Sequence, residues 1–138
     1  MNVRLRQWLI LYQYVAGFSD TATGLLLVGF PGFTFHLMGL TVFPQPAFVR
    51  YIGVFVLCVG LSYLWAAIRW PLNELGVMVW VTQWKITALM RGMVALFLIW
   101  QWMVQGVEAH WASVIVFDGA FAAFQIIGIE QGWIERAV

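Results

Sequence analysis

Two cations and two carboxylates lie inside stretches of sequence that are otherwise apolar. Lys85 and Arg91 fall within one such stretch, while Asp20 and Asp118 fall within two others. Ionisable side chains in hydrocarbon are costly, so they pair with one another or mark a path for protons or ions. The sequence therefore predicts a buried charge cluster made of Asp20, Lys85, Arg91 and Asp118.

Two chemistries are open to this cluster. In the first, Arg91 pairs with Asp20 or Asp118 and fixes the register of two helices, because the planar guanidinium stays charged when buried and fits a carboxylate. In the second, one aspartate carries a proton or accepts a polar ligand. The hydroxyl and amide groups that could extend such a relay belong to Thr21, Thr23, Thr87 and Gln125.

The two histidines of the chain form a second candidate site. His36 and His110 both fall in segments predicted on the outer side of the membrane, and Glu108 lies two residues before His110. Imidazole and carboxylate groups are ligands for metals, and imidazole also binds haem iron. The sequence contains no phosphate-binding loop, HExxH run or CxxC pair, so no catalytic residue is predicted.

The composition is typical of an integral membrane protein. Of the 138 residues, 63% are hydrophobic, 17% are aromatic and 9% are charged, whereas about a quarter of the residues of a soluble domain are charged. The net charge is +1 and the sequence has no basic run. The strongly basic surface that nucleic-acid binding requires is therefore not expected.

Four apolar stretches are long enough to cross a membrane, since about 20 helical residues span a hydrocarbon core of roughly 30 Å. They lie at about 7–30, 48–68, 79–104 and 111–129. The sequence thus predicts an all-α, polytopic membrane protein: a single transmembrane domain built as a four-helix bundle. The proline-rich connection after the first span predicts a short helix at about 33–40, lying in the outer interface or folded over the mouth of the bundle.

The depths of the charged residues agree with one another. At about 1.5 Å per residue, Asp20 and Asp118 lie about 20 Å from the cytoplasmic face and Arg91 about 18 Å from it. This agreement requires a long third span that begins well before Lys85. Since Lys85 and Arg91 are six positions apart, they point to faces about 120° apart, and Lys85 can turn toward the headgroups.

The basic residues near the span ends predict the orientation. If the N-terminus is cytoplasmic, Arg4, Arg6, Arg69 and Arg136 lie inside and Arg50 alone lies at the outer end of its span. Because positive charge concentrates on the cytoplasmic side, both termini are expected there.

Pairs of glycines recur at helical spacing in the first two spans. Gly17 and Gly24 are seven residues apart, and so are Gly53 and Gly60. Small residues let membrane helices approach closely. These glycines therefore predict packing faces between helices.

Several sequence segments resemble the DoxX-like group of small four-helix membrane proteins. They are AGFSDTATGLLLVGF, LMGL, RYIGVFVLCVG, KITALMRGMVALF and FDGAFAAF, in chain order. The resemblance implies a compact bundle that serves as a membrane subunit of a larger assembly. Some of these proteins are linked with quinone-reducing sulfur oxidation.

These features predict a small accessory subunit of a bacterial membrane complex, respiratory or electron-transferring, in the inner membrane. Its partners would be other membrane subunits, lipid and a second copy of itself. The alternative is a redox subunit that binds quinone or haem near His36 and His110. A small proton-coupled transporter using Asp20, Arg91 and Asp118 is a third interpretation, although four short spans leave little room for alternating access.

Overall fold

Helices account for nearly all of the chain that the computed structural model describes, which is residues 3–41, 44–69 and 74–138. This part of the chain contains no β-strand. The helices are α1 (Val3–Gly29), α2 (Pro31–Leu37), α3 (Pro46–Ile68), α4 (Glu74–Gln105), α5 (Ala112–Glu130) and α6 (Trp133–Ala137), with a 3₁₀ turn at Ala109–Trp111 before α5. The all-α prediction is confirmed.

Each predicted span corresponds to one long helix. The largest difference is in α4, which starts five residues before position 79 and runs for 32 residues. Its first turn contains Glu74, and a carboxylate there interacts favourably with the positive end of the helix dipole. The long third span that the depth argument required is therefore present.

Three helical segments are long and apolar enough to cross a membrane: α3, α4 and the segment Ala109–Glu130 that includes α5. They indicate a membrane-embedded protein. The 27-residue α1 is long enough but is not among them. It carries polar residues such as Gln13 and Asp20 along its length, and these lower its mean hydropathy below that of the other long helices.

The short helix predicted after the first span is present as α2. It begins at Pro31, two residues before the predicted start, because proline is favoured at the first position of a helix, where its missing N–H costs no hydrogen bond. It ends at Leu37, three residues early, where Gly39 adopts a φ of 74° and turns the chain. Its predicted location in the outer interface stays a prediction.

The chain divides into two compact units. The first unit contains α1, α2 and α3, and the second contains α4, α5 and α6. The single four-helix bundle requires these units to pack together, and it stays a prediction. Residues 70–73 of the loop predicted between the second and third spans lie outside the described residues.

In the first unit, α1 and α3 approach each other through glycines. A Cβ atom added to Gly24 would lie 2.5 Å from the backbone nitrogen of Leu57, and one added to Gly60 would overlap the backbone of Thr21. Added Cβ atoms at Gly17 and Gly53 would also meet side chains of the opposite helix. The predicted glycine packing faces are confirmed: only glycine permits this separation of the two backbones.

In the second unit, α4 and α5 form an antiparallel hairpin that α6 closes at one end. The indole of Trp84 packs against the ring of Phe124 at a centroid distance of 5.9 Å. The chain reverses after α5 at Gly132, whose φ of +60° suits glycine. This reversal brings α6 back onto the hairpin, where Ile134 and Ala137 are fully buried.

Candidate functional site

An ion pair links the middle of α4 to the middle of α5. The Nη1 group of Arg91 donates a hydrogen bond to Oδ1 of Asp118 at 2.5 Å. The side chains are 8% and 19% exposed, respectively. Of the two aspartates that the sequence offered to Arg91, the structure thus pairs Asp118 with it, and the charges of the two side chains cancel.

Both partners lie near the centre of their helices. Arg91 is seventeen residues after Glu74, about 26 Å along a helix of about 48 Å. Asp118 is nine residues after Ala109, about 14 Å along an apolar segment of about 33 Å. In an antiparallel hairpin whose helices both cross a membrane, two such mid-helix positions lie at the same depth.

An aromatic ring closes the pair on one side. The guanidinium carbon of Arg91 lies 4.8 Å from the centroid of the Phe121 ring, within the range of a cation–π interaction. Phe121 follows Asp118 by three positions, so both side chains leave the same face of α5. The sequence analysis missed this contact, although the i, i+3 spacing from Asp118 was the available signal.

A second polar contact lies one helical turn from the ion pair along α4 and two turns from it along α5. Gln125 donates from Nε2 to the hydroxyl oxygen of Thr87 at 2.8 Å, and both side chains are buried. The Thr87 hydroxyl in turn donates to the backbone carbonyl of Gln83 at 2.9 Å. The Oε1 atom of Gln125 is buried without a hydrogen-bond partner among the described residues.

These contacts differ from the relay considered for the cluster. Thr87 and Gln125 do meet, but Thr21 and Thr23 belong to the first unit. In the second unit, the hydroxyl of Thr87 donates its hydrogen bond to the backbone carbonyl of Gln83. A backbone carbonyl does not pass a proton on, so this contact fixes side chains within the hairpin.

The other two members of the predicted cluster occupy different surroundings. Lys85 is exposed while Arg91 is buried, which confirms that these two cations of α4 face different directions. Asp20 lies on α1 in the first unit. Its membership of the cluster stays a prediction.

The histidines lie in different units. His36 is exposed on α2 in the first unit, and His110 is exposed in the 3₁₀ turn of the second, with Glu108 just before that turn. Over residues 3–41, 44–69 and 74–138, no three His, Cys, Asp or Glu side chains are grouped so that they could hold a metal ion. Binding of haem or another ligand by these residues stays a prediction.

Comparisons of the chain with protein-family models, curated proteins and solved structures give no match. The resemblance to the DoxX-like group therefore stays a prediction. What the chain can do has to be argued from its own geometry, in which Arg91, Asp118 and Phe121 hold two helices together.

Proposed function

We propose that this protein is a small accessory subunit of a bacterial membrane complex and binds partner helices and lipid through its outer surface. The observation that carries the proposal is the contrast between the interior and the surface of the α4–α5 hairpin. Inside the hairpin, the buried charges of Arg91 and Asp118 form an ion pair with each other. Outside, the hairpin presents large apolar side chains.

The outer surface of α4 illustrates this contrast. Phe97, Trp100 and Met103 are 54%, 53% and 83% exposed, respectively. A contiguous apolar surface of this kind marks contact with lipid or with another protein. Inside a membrane, such side chains meet acyl chains or the helices of a partner, and small residues elsewhere allow close helix packing.

The polar contacts inside the hairpin are better suited to stabilising α4 against α5 than to catalysis. An arginine paired with a carboxylate in a buried site is held in one geometry, and breaking the pair leaves a buried charge. Thr87 and Gln125 are likewise hydrogen-bonded within the hairpin. We infer that the polar interior sets the register of α4 against α5.

The proposal includes α1 as a fourth span. Its 27 residues extend for about 40 Å, more than the roughly 30 Å of a hydrocarbon core. The polarity that lowers its hydropathy is partly turned inward, since Gln13 is fully buried and donates to the backbone carbonyl of Tyr63 on α3. With four spans and the arginine distribution described above, both termini are cytoplasmic.

The family resemblance supports a narrower version of the proposal. If the chain is a DoxX-like protein, the complex is respiratory or electron-transferring and lies in the bacterial inner membrane. The segments that carry the resemblance are spread over nearly the whole chain. Within such a complex the redox cofactors would belong to neighbouring subunits.

Copurification tests the accessory role. The tagged chain is crosslinked in native membranes, extracted in mild detergent and quantified by mass spectrometry together with the proteins it retains. We expect one or more larger membrane proteins in fixed stoichiometry. Recovery of the chain alone, with and without the crosslinker, would contradict the proposal.

A further inference from the structure

A groove of about 450 Å³ runs along the α4–α5 hairpin. Its walls are apolar over most of their length and consist mainly of Leu89, Met93, Leu96, Ile126 and Ile129. Gly92 also lines the groove, and a Cβ atom added there would have no atom within 4 Å. The absence of a side chain at Gly92 therefore keeps part of the groove open.

The groove has the length of one half of a membrane. On α4 it extends from Lys85 to Leu96, eleven residues or about 16 Å, against roughly 30 Å for the whole hydrocarbon core. Relative to Arg91 in the middle of α4, Lys85 lies about 9 Å toward the start of the helix and Leu96 about 8 Å toward its end. Glu130, the last residue of α5, lines the end of the groove nearer a membrane surface. An occupant that follows the groove from Glu130 to Leu96 would therefore run from near that surface to somewhat beyond the centre.

The end of the groove nearer the membrane surface is charged. Lys85 and Glu130 line it there, and both are exposed. Within the described part of the chain, neither side chain takes part in an ion pair. The groove thus has an ammonium group and a carboxylate beside its apolar walls. Together they can bind a ligand that carries one negative and one positive charge.

We propose that the groove binds one phospholipid whose zwitterionic headgroup carries a primary ammonium, that is, a phosphatidylethanolamine. One acyl chain lies between α4 and α5 over Gly92. The lipid phosphate accepts hydrogen bonds from Lys85, and the lipid ammonium donates to Glu130. The inference deepens the proposed function, because it rests on α4 and α5 crossing the membrane.

The headgroup chemistry makes the proposal selective. A quaternary ammonium has no N–H to donate, so phosphatidylcholine loses the contact with Glu130. A phosphatidylglycerol headgroup carries a net negative charge and no cation, so Glu130 faces it unfavourably. Lipids with identical acyl chains fill the apolar part of the groove equally well. Differences in their affinity therefore measure the contacts of the headgroup with Lys85 and Glu130.

Native mass spectrometry of the delipidated protein in detergent tests the site. The protein is titrated with phosphatidylethanolamine, phosphatidylcholine or phosphatidylglycerol of identical acyl chains. We expect one phosphatidylethanolamine to bind about tenfold more tightly than either of the others, the effect of losing one hydrogen bond between charged groups. Equal binding of the three lipids, or preference for phosphatidylglycerol, would overturn the proposal without recourse to any variant.

Variants locate the binding in the groove. Gly92→Leu fills the channel and should abolish tight binding, whereas Ala120→Leu, an exposed position of α5 outside the groove, should not change it. Glu130→Gln should remove the preference for phosphatidylethanolamine, and Lys85→Arg should retain it. Wild-type binding by the Gly92→Leu protein would refute the site.

The outcome is separable from that of the accessory role. If lipid selectivity is missing but partner proteins copurify in fixed stoichiometry, the groove proposal fails alone. If the chain is recovered alone with one selectively bound phosphatidylethanolamine, the groove proposal stands and the accessory role fails. Crosslinking of a probe at Met93 to another polypeptide instead of lipid in native membranes would show that a partner helix occupies the groove, and would overturn the lipid proposal.

Discussion

Replacing Asp118 with alanine removes a charged hydrogen-bond acceptor of Arg91 but leaves the charge of the arginine in place. The Arg91 residue is 7% exposed, and breaking a buried ion pair by removing one partner costs about 3–5 kcal/mol. The Phe121 ring, 4.8 Å from the guanidinium carbon, stays in place. We therefore expect the lower part of that range, a loss of about 3 kcal/mol in the free energy of unfolding.

The double variant Arg91→Met, Asp118→Leu distinguishes the contribution of the ion pair from that of packing buried side chains. It removes both charges and fills a similar volume with apolar atoms, so its cost should be within about 1.5 kcal/mol. Equilibrium unfolding in mixed micelles, followed by tryptophan fluorescence, measures the wild type, Asp118→Ala, the single variants Arg91→Met and Asp118→Leu, and the double variant. The exposed Lys85 provides the control, since Lys85→Ala removes a charge from the same helix and should leave the unfolding free energy unchanged.

A small effect of the single variant would contradict the role assigned to the ion pair. A loss of less than about 1 kcal/mol for Asp118→Ala would match an ordinary surface pair. A double variant whose cost equals the sum of the two single-variant costs would show that the two side chains do not depend on each other. In either case Asp118 would not be the partner that fixes Arg91, and a role for the aspartate in proton or ligand binding would gain support.

Three further predictions concern packing, polar satisfaction and cofactors. Gly24→Ala should cost about 1–3 kcal/mol through overpacking against Leu57, whereas Gly29→Ala, which meets no atom within 4 Å, should unfold like the wild type; equal stabilities would contradict the close approach of α1 and α3. Thr87→Val should cost about 1–3 kcal/mol because it leaves the Gln125 amide unpaired, while Gln125→Leu removes an already unpaired buried oxygen and should be nearly neutral; the reverse order in the same unfolding assay would count against the assigned hydrogen bond. The purified chain should show no haem absorbance; a haem band that disappears when both histidines are replaced by alanine would instead establish the redox alternative.

The helices could be predicted because their signals are local. Uninterrupted apolar runs defined the long helices, and the two cations of α4 required that helix to be long. Two boundaries were less accurate for identifiable reasons. The predicted start of the short helix, position 33, lies after Pro31, although proline is favoured at the first position of a helix. The predicted start of the third span, position 79, lies five residues after the first residue of α4.

The pairing of Arg91 was harder to predict than its depth. Asp20 and Asp118 fall at similar depths, so the rise of a helix along the chain does not distinguish them. The antiparallel arrangement of α4 and α5 does, because consecutive helices joined by a short connection are usually neighbours. The groove beside Gly92 could not be predicted at all, since it depends on how the side chains of two helices pack.

The location of the two termini shows whether α1 crosses the membrane together with the three more apolar segments. Single cysteines placed before α1 or after α6, in a Cys58→Ser background, can be labelled with a membrane-impermeant maleimide in spheroplasts and in inverted vesicles. Four spans predict that both positions react only from the cytoplasmic side. Labelling of the two positions from opposite sides would mean three spans and would contradict the account.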